Sequence, residues 1–182
     1  MRQRIQQRTR FFVAVEGESE QSFVAWLQTL AGGKNLPVHL DGVLLGGGGF
    51  SSMLKKAVSE HKRRSQIKGA YTHRFLIVDE DRAEQGDWPI EQLRQEALKN
   101  KIVVCIQRPN HEGLLYRLKA GFERDFAEAR QMASKLRAHW PTYEKPVNAQ
   151  KLQNRFSLDD LLRAATADSD LAVLLRAIGL LL

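Results

Sequence analysis

An α/β fold, with a mostly parallel four-stranded sheet flanked by helices and a helical C-terminal part, is predicted by three features of this sequence. Short apolar runs alternate with helix-period segments up to residue 107, the pattern of βα units whose sheet is covered on both faces. Two of those runs, Val13-Ala14-Val15-Glu16 and Phe75-Leu76-Ile77-Val78-Asp79, end directly in carboxylates. After Cys105 the alternation stops and only helical patterns remain. The expected division is a basic tail over residues 1–9, an α/β core over 10–107, and a helical extension over 108–182 packed on that core.

Taken in order, residues 10–15 form the first strand. Ser19 opens a helix in which Phe23, Trp26, Leu27 and Leu30 share one face, and Gly32-Gly33 ends it. Residues 38–45 form the second strand, broken by Gly46–Gly49. Ser51 or Ser52 then caps a helix with Leu54, Ala57, Val58 and His61 on one side. Residues 72–78 form the third strand. Asp87-Trp88-Pro89 starts the next helix, with Ile90, Leu93 and Ala97 inward. Residues 102–106 form the fourth strand. Beyond it, Phe122, Phe126, Ala129, Ala133, Leu136 and Trp140 mark one long helix stopped by Pro141. Ser157 caps another, and residues 168–170 begin the last. There Leu171, Leu174, Leu175 and Ile178 face inward, while Leu180-Leu181-Leu182 is apolar all round and calls for an oligomer or partner contact.

Composition narrows the partners. Lys and Arg number 28 against 21 Asp and Glu, a formal charge of +7, which favours polyanions. A lone cysteine, Cys105, excludes an intrachain disulfide and a thiolate zinc site, and reads as a buried strand residue. No apolar stretch approaches the roughly 20 residues of a membrane span, and the charged start lacks the apolar segment of a secretory signal. The expected location is the cytoplasm, with no membrane partner.

Ligands of open α/β sheets bind beyond the carboxyl ends of the strands. Parallel strands finishing in Glu16 and in Asp79-x-Asp81 therefore aim carboxylates at one point. Clustered carboxylates repel unless a cation joins them, which points to Mg²⁺ or Mn²⁺. Glu20, one helical turn beyond Glu16, would complete an oxygen shell. An acidic metal site on a basic chain suggests chemistry on nucleic-acid phosphates, in DNA or RNA; in phosphodiester hydrolysis divalent ions activate water and stabilise the leaving oxygen. The bland reading is two unrelated acidic turns.

These residues also carry a resemblance. Val15-Glu16-Gly17 followed by Val78-Asp79-Glu80-Asp81 resembles a TOPRIM domain. Arg108-Pro109-Asn110-His111-Glu112-Gly113-Leu114-Leu115, Tyr143-Glu144-Lys145 and the closing helix resemble the RloB-like proteins. Arg108 and Gly113-Leu114 depart from that family's pattern. The resemblance implies a bacterial anti-phage defence effector, often beside a partner ATPase. It also implies Glu16 as general acid/base or metal ligand, Asp79 and Asp81 as metal-binding aspartates, and Glu20 as the second glutamate of nuclease-type domains.

Several residues keep two readings. Glu112 is either a further metal or substrate contact or a first-turn glutamate answering the helix dipole. His111 reads as a solvated loop histidine rather than a proton shuttle. Gly46–Gly49 lacks the Gly-Lys-Ser/Thr ending of a P-loop and reads as a flexible turn. Lys55, Lys56, Lys62, Arg63, Arg64 and Lys68, with few compensating acids, form a candidate phosphate-contacting face to which Arg2, Arg4, Arg8 and Arg10 could add. Tyr143 and Lys145 fit either a substrate cleft or plain packing. The rival to a nuclease is a non-catalytic nucleic-acid-binding or sensor module working with a partner ATPase.

Overall fold

Strands β1 (Thr9–Val15), β2 (Val38–Leu44), β3 (His73–Asp79) and β4 (Val103–Gln107) form one all-parallel sheet in the order β2-β1-β3-β4. The computed structural model describes residues 7–85 and 88–182. Helices α1 (Glu18–Gly33), α2 (Phe50–Lys68) and α3 (Ile90–Lys99) connect successive strands. A 3-10 turn, Glu80–Gln85, follows β3 directly. Helices α4 (His111–Arg117), α5 (Ala129–His139), α6 (Ala149–Arg155), α7 (Leu158–Ala165) and α8 (Ser169–Ile178) complete the fold.

Side chains of a strand alternate between faces, and the central strands bury both. Phe11, Val13, Val15, Phe75 and Ile77 join α1 and the C-terminal helices in one apolar cluster. Phe12, Ala14, Leu76 and Val78 join α2 and α3 in a second. Parallel sheets read as continuous apolar runs for this reason. The chain leaves β1 toward β2 on one side and returns to β3 on the other, so the switch point lies between β1 and β3. That is where Glu16 and Asp79 emerge.

The extension is tied to the β4 edge by charge. The Asp170 carboxylate accepts from the Ile106 amide at 3.2 Å and pairs with Arg94 at 2.7 Å and Arg108 at 3.0 Å. Arg94 also donates to the Val104 carbonyl at 2.9 Å. Arg108 thus bridges Asp170 and Glu80. Gly113 is required sterically: an added Cβ would lie 2.6 Å from Pro109 Cδ and 2.9 Å from the Arg108 carbonyl oxygen.

Some expectations are corrected. The long helix over 122–140 is shorter, because α5 begins only at Ala129. Gly121 turns left-handed at φ 87°, and the Asp125 side chain captures the Ala127 amide at 3.1 Å, so the chain cannot continue helically. Phe122 packs on Tyr116 and His139, while Phe126 lies outside the helix over the Arg117 guanidinium. Helix α2 is capped by Gly49 rather than Ser51 or Ser52, with no side-chain cap bond. Pro89 is the N-cap of α3, and Asp87 lies outside the described residues, as do Arg2 and Arg4. Ser157 caps α7 in a full capping box with Asp160, and Asp168 caps α8. The apolar C-terminus finds cover within the chain: Leu180 is buried and Leu181 packs on the first cluster, leaving Leu182 exposed. Among the described residues no helix is long and apolar enough to cross a membrane.

Candidate metal centre and basic helix

Glu16 follows β1 directly, Gly17 caps α1, and Glu20 stands in that helix's first turn. A Cβ at Gly17 would come within 2.8 Å of Glu20 Oε2. Glycine therefore lets the Glu20 side chain fold back over its own helix start. Asp79 is the last residue of β3, paired in register with Gln107. The 3-10 turn brings Asp81 round, where its amide donates to the Pro109 carbonyl at 3.0 Å and its carboxylate accepts from Asn110 Nδ2 at 3.3 Å. Glu112 enters from the first turn of α4, itself capped by Asn110.

Glu16, Glu20, Asp79 and Glu112 are all buried. Burial pushes the Asp79 carboxyl up to about 9, and the negative charges of Glu20, Glu16, Asp81 and Glu112 add to the effect. Four carboxylates that the sequence singles out thus bear on Asp79, although Asp81 lines a neighbouring cleft with Glu80 and Pro109. Burial also raises Glu16, opposed by Arg82, whose guanidinium pairs with Glu16 at 2.5 Å. Burial works on Glu112 in the same sense, but Lys145 at 2.8 Å outweighs it and holds the carboxyl below its ordinary range. Tyr143 donates to Glu112 at 3.3 Å. Tyr143 and Lys145 therefore meet the carboxylates, and Tyr143 is also packed in the core.

A cleft of about 380 Å³ opens here, lined by Glu16, Glu20, Asp79, Gly47, Arg82 and Lys145 among others. Two buried oxygens at this cleft, Glu16 Oε2 and Asp79 Oδ1, have no hydrogen-bond partner. Each belongs to a residue only 8% exposed. Buried unsatisfied carboxylate oxygens are costly, and hard oxygen donors of this kind suit Mg²⁺ or Mn²⁺. Among the described residues no three His, Cys, Asp or Glu side chains already stand in a metal-ligating arrangement. The donor chemistry fits a divalent ion, and the pairs Glu16–Arg82 and Glu112–Lys145 are what loading has to rearrange.

His111 is corrected from a solvated loop residue to a fully buried one. Its Nδ1 lies 3.1 Å from Gln107 Nε2, and its ring packs edge-on to Phe23. Burial lowers its basicity, against the opposing pull of Glu20 and Glu112. Arg82 was the residue the sequence reading missed, although it directly follows Asp81 and a cation beside an acidic turn is a visible signal.

The glycine turn sits at the same sheet edge, with a Cβ on Gly47 falling 3.7 Å from Glu16 Oε1. Lys56 donates to the Gly46 and Gly47 carbonyls at 2.8 and 2.9 Å, bracing the turn. The basic helix is more compensated than its composition suggests. Arg63 pairs with Glu60, Arg64 with Glu60 and Asp41, and Lys68 with Asp41. Arg10 lies over the Tyr71 ring and donates to the Gly69 carbonyl. Lys55 and Lys62 are exposed and form no ion pair among the described residues. Arg63 and Arg64 also sit about 20 Å down the helix from its start at the carboxylate edge.

No protein-family model, curated protein or solved structure matches this chain.

Proposed function

We propose that this chain is a Mg²⁺- or Mn²⁺-dependent nuclease of TOPRIM type, similar to the RloB-like proteins, cleaving nucleic-acid phosphodiesters as an effector of bacterial anti-phage defence. The observation that carries the reading is the pair of unsatisfied buried oxygens, Glu16 Oε2 and Asp79 Oδ1, on two residues that line one cleft at the sheet's switch point. Glu16, Glu20, Asp79 and Asp81 would hold the ion, with Glu112 beside them. A bound divalent ion supplies the charge that makes water nucleophilic and stabilises the leaving oxygen.

The chain's own residues do the rest. Glu16, at the strand end, would hold or move a proton at its carboxylate, whose basicity burial raises and Arg82 opposes. Asn110 orients Asp81 through its amide. Lys145 keeps Glu112 ionised and brings a positive charge to the cleft wall, where a phosphate oxygen would be welcome. Gly47 leaves room for a backbone to approach. A partner ATPase belongs to this reading through the RloB-like resemblance.

Purified protein incubated with plasmid, single-stranded DNA and tRNA tests the proposal. Cleavage in Mg²⁺ or Mn²⁺ that stops with EDTA and in Asp79→Asn supports it. Calorimetric Mn²⁺ binding without cleavage of any substrate, with or without an ATPase encoded beside it, would favour the non-catalytic module. Neither binding nor cleavage rejects the metal site.

A further inference from the structure

Away from the carboxylate cleft, α2 and α3 enclose a second groove of about 420 Å³. Leu54 and Val58 line its apolar part, Lys55, Lys62 and Trp88 flank it, and Glu96 bounds it on α3. We infer that this groove is a track for single-stranded nucleic acid, with Trp88 stacking on a base and Lys55 and Lys62 contacting phosphates. The inference rests on the nucleic-acid reading above, though on no property of the metal centre.

Charge selects the two lysines. Of the six basic residues singled out on α2, Lys56 is spent on the glycine turn and Arg63, Arg64 and Lys68 on carboxylates. Lys55 and Lys62 remain, and the groove's Glu96 is already paired with Lys99 at 2.6 Å. The groove therefore presents net positive charge. Lys55 and Lys62 are two helical turns apart on one face, about 10.5 Å along the axis. That distance spans about three nucleotides at a stacked rise of about 3.4 Å.

Trp88 supplies the other half. Trp26 and Trp140 are core residues packed on Phe156. Trp88 is only half-buried, resting on the second cluster while lining the groove. An aromatic surface in the same groove as cations rewards an unstacked base, whereas a duplex keeps its bases paired inside and offers only phosphates. Both α2 and α3 begin at the carboxyl edge of the sheet. The end of the groove at Lys55 and Trp88 therefore opens toward the edge that carries Glu16 and Asp79, and a strand lying in it leads to the cleft.

The test uses the full chain in EDTA, titrated with short oligo-dT and oligo-U while following tryptophan fluorescence and the salt dependence of binding. The expected result is quenching on binding. Trp88→Leu abolishes the quench and weakens binding roughly tenfold, and Trp88→Phe retains most of the affinity. Lys55→Gln and Lys62→Gln each lower the slope of log affinity against log salt by about 0.7, while Arg63→Gln leaves it unchanged. Circular dichroism confirms that each variant is folded. An unchanged quench in folded Trp88→Leu, or an Arg63→Gln loss equal to that of Lys55→Gln, overturns the assignment. So does binding of polyglutamate but not of oligonucleotide, which would make the groove a protein-docking site, and so does binding of neither. Metal-dependent cleavage that survives loss of this binding would leave the nuclease standing and remove only the track.

Discussion

Replacing Asp79 by Asn should stabilise the metal-free protein and abolish its response to metal. In the unfolded chain the Asp79 carboxyl ionises near its ordinary value of 3.8, but in the fold it holds its proton up to about 9. Between those values the native state binds one more proton than the unfolded state, so stability falls as pH rises. Each pH unit in that window costs about 1.4 kcal/mol, which amounts to about 4 kcal/mol by pH 7. Asp79→Asn has no such proton to lose. In EDTA at pH 7 it should melt roughly 10 °C above the parent, with the gain shrinking toward zero at pH 4. Urea denaturation at pH 4.5, 6 and 7.5 measures the window directly. Saturating Mn²⁺ should then narrow the gap: at one hundred times its Kd an ion stabilises the parent by about 2.7 kcal/mol, and the variant gains little. The parent should also release close to one proton per ion bound at pH 7, read by calorimetry in buffers of different ionisation heat. A stability difference flat from pH 5 to 8 would refute the argument, because it would mean that Asp79 is neither buried nor crowded by the other carboxylates.

Three further outcomes are expected. Gly17→Ala should push the Glu20 carboxylate aside, since its Cβ would stand 2.8 Å from Oε2; because that atom ends a flexible chain, stability should fall by less than about 1 kcal/mol while calorimetric Mn²⁺ affinity drops several-fold. Gly113→Ala meets Pro109 Cδ and the Arg108 backbone instead, which cannot swing away, so urea denaturation should show a loss of about 1–3 kcal/mol. Arg117→Met should cost about 3–5 kcal/mol, because it strands the buried Asp168 carboxylate now paired at 2.7 Å; adding Asp168→Asn should recover part of the loss, and no recovery would mean that packing, not charge, is at stake.

The sheet was legible because its strands are buried on both faces and so read as unbroken apolar runs: Phe11 through Val15 and Phe75 through Val78 are all buried. The strand-end carboxylates were legible for the same reason, as each run stops in an acid. The segment after Gly121 was not. Phe122 and Phe126 fall at a helical spacing, yet a left-handed glycine and the Asp125 side chain settle that stretch locally, and spacing alone does not register either. His111 misled in the opposite direction: a polar residue after a strand suggests a loop, and only the packing of α4 against Phe23 and Gln107 buries it.

Charge shows most sharply where sequence reading stops. The pairs of Glu60 with Arg63 and Arg64 lie at i,i+3 and i,i+4 and can be read from the sequence. The pair of Arg64 with Asp41, 23 residues away on the edge strand β2, depends on the fold. So do Arg82 on Glu16 and Lys145 on Glu112, which bring positive charge to the acidic edge. A net charge of +7 therefore does not describe a uniformly basic surface. Part of the excess is paired with carboxylates of the acidic edge, Glu16 and Glu112. Among the described residues, the charge on α2 that forms no ion pair is concentrated at Lys55 and Lys62. Composition pointed to a polyanion, but which lysines could meet it is decided by which bases the fold has already spent.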